Sequence, residues 1–339
     1  MNLAMAKPPD TPTHAPRRRR PLRLIVKLLV SAVLVAYVVW RLDGRFGAVR
    51  ETLAGAALAW LAPAFLLQVL GAAVAALRWR VLLDAQDLRV PYRRLLNSYL
   101  AAAFFNTFMP GMYGGDVIRA YDSARATGRT TRSITVVVLG RIAGLIALVG
   151  IAVVAILVNW QAVQANVATL RPLLWFLVAL NLGIVVLVGL TFPAVAGLVA
   201  RAAGRGRLSD VVSNVLASLA ACRARPRHTA AVGALSVVFQ LIVVAYYALC
   251  VRALGFNVPL YRVMMAVPVV LVLVMVIPSI NGLGVRTGGF QAFLFVSLPF
   301  ESGLAAAASL EIVDLALRLA FGLVGAAVFV ARRRAPDLG

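Results

Sequence analysis

The sequence predicts an all-α membrane protein that crosses a bilayer several times and is broken twice in mid-membrane. Three observations carry this expectation. Hydrophobic residues fill 62% of the 339 positions, against roughly half in a soluble chain. Basic residues sit in short segments between apolar runs, which is the topology signal of a polytopic membrane protein. Two stretches rich in glycine and proline, MPGMYGGD at 109–116 and IPSINGLG at 277–284, interrupt runs that otherwise read as helix.

Apolar runs long enough to span occur at 24–40, 53–77, 133–158, 173–199, 230–254, 263–280 and 303–331. A shorter apolar piece, 95–109, leads into the first interruption, and another, 285–299, follows the second. The basic start RRRRPLRLIVKLLVSAVLVAYVVW is expected to be a retained first helix, because its apolar run is long and no small-residue cleavage site follows. Residues 1–23 read as a disordered basic cytoplasmic tail and 332–339 as a second tail, with a membrane domain at 24–331 between them.

Lys and Arg counts orient the spans. The tail through Lys27 carries seven, 41–52 three, 78–98 five, 119–132 four, 200–229 six, and the C-terminus ends in three arginines. Segment 159–172 carries Arg171 alone, and 252–262 carries two. The positive-inside bias places both termini in the cytoplasm of a multi-pass inner-membrane protein. Segments 78–98 and 119–132 then share a face, so 95–118 enters and leaves as a re-entrant hairpin. Segment 263–299 must also return to its own face, either re-entering or spanning fully. Residues 24–158 and 173–331 each read as two helices, a broken hairpin and one helix. The expected architecture is about six full crossings plus two broken hairpins, arranged as an inverted repeat, with the substrate site at the breaks. The plain alternative is that apolar helices look alike and two hairpins coincide.

The formal charge is +22, from 34 basic and 12 acidic residues. Its confinement to short loops argues against a nucleic-acid partner and favours anionic lipid headgroups. The two cysteines, Cys222 and Cys250, allow neither a disulfide framework nor a zinc site.

Each break has its own chemistry. Unpaired backbone groups in hydrocarbon cost several kcal/mol, so such breaks survive only inside protein or beside water. Pro110 removes a donor, and Gly111, Gly114 and Gly115 permit positive φ. Asp116 suits an N-cap that opens a helix through Val117, Ile118 and Arg119. Exposed N–H groups at that start, with Arg119 one turn on, would favour a lipid phosphate. The plainer reading is a cytoplasmic turn in which Asp116 and Arg119 cap and pair. The second break repeats the formula with Pro278, Gly282 and Gly284, followed by Arg286. Neither break is a nucleotide site: the first lacks Gly-Lys-Ser/Thr, and the second has the wrong glycine spacing and no preceding strand. No cofactor is expected.

Charges within the spans need partners or a wet cavity. Arg141 and Glu311 each lie about eight residues into their helices, at corresponding places in the two halves. Glu311, Asp314 and Arg318 share one helix face, and Asp314 with Arg318 suits an internal ion pair. One reading is packing glue between helices. The sharper one is a polar cavity facing both breaks, in which Arg119, Arg141 and Arg286 attract a headgroup while Glu311 or Asp314 carries a proton or trades partners. RWR at 78–80 and YRR at 92–94 read as interfacial anchors and topogenic charge.

RWRVLL, FFNTFMPGMYGGDVIRAY and IPSINGLGVR, in that order, resemble the membrane region of lysylphosphatidylglycerol synthases and flippase-like integral membrane proteins. The resemblance runs from about residue 24 to 331 and implies an all-helical inner-membrane protein that moves or handles lipids. Family substrates include aminoacylated phosphatidylglycerol, polyprenyl-linked sugars and lipids of hopanoid-associated gene sets. The motif positions carried over are Asn106, Pro110, Gly114, Gly115, Asp116 and Arg119, then Pro278, Gly282, Gly284 and Arg286. Thr287 stands where the family often has an acid, and Asn281 replaces a common glycine. The soluble synthase domain is absent from this sequence.

The function expected is translocation or handling of an anionic phospholipid or lipid-linked intermediate. The rivals are an accessory subunit that helps a lipid or envelope biosynthesis complex assemble, and a lipid enzyme. An enzyme would need converging carboxylates, an activated nucleophile or a metal site. The histidines are His14, in the tail, and His228, at a loop end, so no enzyme is expected.

Overall fold

The computed structural model describes residues 46–108, 114–165, 168, 171, 174–179, 181–183, 224–277, 279 and 282–334, and every regular element among them is helical. The expected spans 24–40 and 173–199, both tails, Pro110, Pro278 and Asn281 lie outside the described residues in whole or in large part.

A short helix, α1 (Phe46–Ala54), precedes α2 (Leu58–Asp84). The apolar run from 53 is thus split at Gly55, and the Ala57 N–H donates to the Ala253 carbonyl at 2.8 Å. α2 runs on past the apolar stretch through RWRVLLD, so Arg78 and Arg80 belong to the helix rather than to a loop. α3 (Tyr92–Phe108) and α4 (Gly114–Thr127) flank the first break. α5 (Thr130–Val158) and α6 (Trp160–Ala165) close the first half. In the second half, α7 (Pro226–Ala253) is followed by α8 (Leu260–Val276) and α9 (Val285–Phe293), which flank the second break. α10 (Phe300–Arg334) ends the described chain.

α2, α5 and α7 have 27, 29 and 28 residues and are apolar enough to cross a membrane. At about 1.5 Å per residue, each exceeds the roughly 30 Å hydrocarbon core. Leu66, Val154, Leu157, Leu241 and Leu323 face outward, as lipid-facing side chains do.

α2 lies along α7, α3 along α10, and α5 along both α7 and α8. α4 packs on α3 and α5, and α9 packs on α8 and α10. Small residues make the α2 face: Ala64, Ala72, Ala75 and Ala76 are buried, and Gly71 sits against Ile242 and Phe239 of α7. Close helix approach through small residues substitutes for the hydrophobic drive that lipid removes. The same device joins α3 to α10, where a Cβ on Gly325 would collide with the backbone carbonyl of Leu100. Backbone cannot yield as a flexible side chain can. Gly325→Ala is therefore expected to destabilise the protein by about 1–3 kcal/mol, read as an earlier unfolding midpoint in a denaturing-detergent titration.

Candidate functional site

The first break is closed by a side chain from the helix before it. Asn106, near the end of α3, accepts the Gly115 N–H through Oδ1 at 2.7 Å. It covers a donor that the start of α4 would leave unpaired. Position 115 has no room for a side chain, because a Cβ there would lie 2.6–2.8 Å from the Asn106 amide.

Asp116 is not the N-cap that the sequence suggested. α4 already begins at Gly114, and Asp116 lies within its first turn. Its carboxylate turns to two guanidinium groups, Arg119 on α4 and Arg141 on α5. Ion pairing with both outcompetes capping in a partly desolvated place. Arg119 is flanked by aromatic rings, its guanidinium carbon 5.1 Å from the Tyr99 centroid and 5.9 Å from that of Trp79. Both distances suit a cation over a π face. Arg119 is thus held against an acid and two rings, not extended toward solvent.

A third arginine joins them. Arg78, read from the sequence as an interfacial anchor, is 9% exposed. Its Nη1 donates to Ser236 Oγ of α7 at 3.2 Å, and its guanidinium stacks on Phe239 at 5.2 Å. Beside it, Gln240 Nε2 donates to the Gly144 carbonyl of α5 at 3.0 Å. Arg78 and Arg141 are both close enough to Arg119 to act on it electrostatically. Two guanidinium groups therefore share the Asp116 carboxylate, and that of Arg78 lies near Arg119. The next acid on α4, Asp122, accepts from Ser98.

The second break is built with opposite polarity. Gly282 and Gly284 hold φ of +78° and +76°, the left-handed region that glycine enters freely. A Cβ on Gly282 would also lie 2.6 Å from Val274 Cγ1. Gly282→Ala is expected to cost about 1–2 kcal/mol from backbone conformation alone, seen as a lowered Tm in detergent. α9 opens at Val285, and Thr287 sends its N–H at 3.2 Å, together with its hydroxyl, to Glu311 Oε2 on α10. A threonine at 287 supplies donors where an acid would set two carboxylates face to face. Arg286 Nη1 meets Asp314 Oδ2 at 2.6 Å, and Arg318 Nη2 meets the same oxygen at 2.8 Å. The Tyr246 hydroxyl of α7 donates to Asp314 Oδ1 at 2.9 Å. Arg286 and Asp314 are buried at 2% and 1% exposure.

The predicted residues thus fall into two groups. Asn106, Gly114, Gly115, Asp116, Arg119 and Arg141 gather at the first break. Gly282, Gly284, Arg286, Glu311, Asp314 and Arg318 gather at the second. In the first group the acid is on the hairpin helix and its partner Arg141 on the long helix. In the second, Arg286 is on the hairpin helix and both acids are on the long one. The first group has a positive surplus, and the second is balanced.

A family description, Lysylphosphatidylglycerol synthase TM region, matches residues 24–322. The chain belongs to this family. No curated protein matches it. Both breaks of this member of the lysylphosphatidylglycerol synthase transmembrane family lie within the matched region. Sequence reading missed Arg78, Ser236, Gln240 and Tyr246, and took Thr287 only as a departure from the family pattern. The signal for Arg78 was that the apolar helix has no Gly or Pro after Gly71 and runs straight on through it. An open cleft of about 1090 Å³ lies elsewhere, lined by Arg80, Asp84, Asp87, Arg89, Val90, Pro91, Arg225 and His228. None of these belongs to either break. Asp87 is held there by Arg225 at 2.8 and 2.9 Å, a strut between the end of α2 and the start of α7. Among the described residues no three acidic, His or Cys side chains are grouped to hold a metal.

Proposed function

We propose that the protein takes the acidic headgroup of a phospholipid or lipid-linked intermediate at the first break and carries it across the inner membrane. The observation that carries this reading is the surplus of Arg78, Arg119 and Arg141 over Asp116, part-buried at a broken helix. Positive charge gathered at membrane depth is costly, and a lipid phosphate or carboxylate is an anion a bilayer supplies. The guanidinium fork fits such oxygens in bidentate fashion. Membership of a family named for lysylphosphatidylglycerol synthase supports the same substrate class. This sequence shows no ATP-binding motif, and the drive we infer is an ion gradient, a substrate gradient or downstream metabolism. The reading is of a carrier, not an enzyme.

The carrier architecture we infer is the inverted repeat, with about six crossings, both termini cytoplasmic and two returning hairpins. Its support is a correspondence of contacts. Exchanging α2 with α7, α3 with α8, α4 with α9 and α5 with α10 turns the α3–α10 contact into α8–α5, α4–α5 into α9–α10, and α2–α3 into α7–α8, and each is present. α9, with nine residues, is about 14 Å long, too short to cross, which favours re-entry for the second hairpin.

The test is leaflet exchange. In proteoliposomes, fluorescent phosphatidylglycerol should become accessible to external quencher faster than in protein-free vesicles, and phosphatidylcholine should not. Equal rates with and without protein would remove the carrier reading and leave an accessory role in a lipid-synthesis complex.

A further inference from the structure

The second cluster divides its charges unevenly. Asp314 takes both arginines, Arg286 and Arg318, and the Tyr246 hydroxyl as well. Glu311 makes no ion pair within 4 Å among the described residues; its donors there are at the start of α9, the Thr287 N–H and hydroxyl and the Gly284 backbone. The Thr287 N–H belongs to the first turn of α9, where the helix start favours an anion. The Glu311 carboxylate therefore sits in the seat that a bound phosphate would take. Two buried polar atoms of this cluster, Glu311 Oε1 and Arg286 Nε, have no hydrogen-bond partner among the described residues. Buried polar atoms are normally satisfied, so an orphan acceptor and an orphan donor in one cluster point to a further occupant. Glu311 itself is 6% exposed.

We propose that Glu311 is a resident counter-anion that leaves the α9 start when it binds a proton, so that one proton enters with each acidic headgroup. The step balances. With both acids ionised, two arginines face two carboxylates and the cluster is neutral. A proton on Glu311 makes it singly positive, and one headgroup anion restores neutrality. The neutral carboxyl can also donate a hydrogen bond, which an ionised one cannot. The charged groups acting on Glu311 are Arg286 on α9 and Asp314 and Arg318 on α10, and Tyr246, Tyr247 and Cys250 on α7 act in turn on Arg286 and Asp314. α8 presents no titratable side chain from Val263 to Ile277. α1, whose Arg50 and Glu51 are exposed, rests on α10 at Leu304, Ala305 and Ala308. The arginines and Asp314 hold one another, which leaves Glu311 as the group free to change charge. This proposal rests on the acidic-lipid reading and supplies its energy coupling.

Dioctanoyl phosphatidylglycerol, titrated into the purified protein, is the probe. Calorimetry in buffers of different ionisation enthalpy counts the protons, and infrared difference spectra follow the carboxyl stretch. Wild type is expected to take up about one proton per lipid and to gain a protonated-carboxyl band. Glu311→Gln is expected to bind lipid with neither signature, at an affinity that no longer changes between pH 5.5 and 8. Binding by wild type with no proton uptake overturns the proton proposal while sparing the lipid reading, and so does uptake that persists in Glu311→Gln. No binding of phosphatidylglycerol at any pH overturns both.

Discussion

Asp314→Ala is expected to cost the folded protein about 3–5 kcal/mol, the range for breaking a buried ion pair on one side. Asp314 is the shared acceptor of Arg286, Arg318 and Tyr246, which come from three helices, α9, α10 and α7. Removing it strands a guanidinium that is 2% exposed beside a second one, Arg318, whose side chain is 19% exposed. The unfolding midpoint in a dodecyl sulfate titration, followed by circular dichroism, should fall well below that of wild type. A double variant, Arg286→Met with Asp314→Leu, should recover much of the loss, because apolar groups of similar volume often replace a buried pair at little cost. If the single variant unfolds with wild type, the cluster is not holding α7, α9 and α10 together.

Arg78→Ala is the second large effect, and it bears on transport rather than folding. A lost hydrogen bond to a charged group is worth about 1.5–3 kcal/mol, so phosphatidylglycerol exchange should slow by roughly tenfold or more. Arg78→Lys should recover little, since an ammonium keeps the charge but loses the planar fork and the stacking on Phe239. Arg80→Ala is the matched control. It removes an arginine two residues away whose side chain is 48% exposed and paired with Asp84 at 3.7 Å, and exchange should be unchanged. Equal slowing in both variants would point to overall surface charge instead of the buried cluster.

Membrane residence, the helical class and the family were legible from composition and from the two broken motifs. So were the left-handed glycines at 282 and 284, because a helix that stops and restarts in so few residues needs positive φ somewhere. The pairing of Asp314 with Arg318 was legible from their spacing on one helix face. The Asp116–Arg141 and Tyr246–Asp314 contacts were not, since they join residues 25 and 68 positions apart and depend on how helices cross. Arg78 was misread for a related reason. Flanking arginines usually mark a membrane interface, and only its crossing with α7 at Ser236 and Phe239 turns this one inward. The N-cap expected at Asp116 failed because capping rules are local, whereas the guanidinium that competes for the carboxylate arrives from α5.

The central claim is that the arginine surplus at the first break holds an acidic headgroup. Native mass spectrometry of protein released from mild detergent tests it most directly, by weighing the lipid that stays bound. Wild type should retain phosphatidylglycerol or another acidic lipid in preference to phosphatidylethanolamine, and Arg119→Ala should lose that preference while keeping its fold. Retention of zwitterionic lipid alone, or the same acidic lipid held equally by Arg119→Ala and wild type, would contradict it.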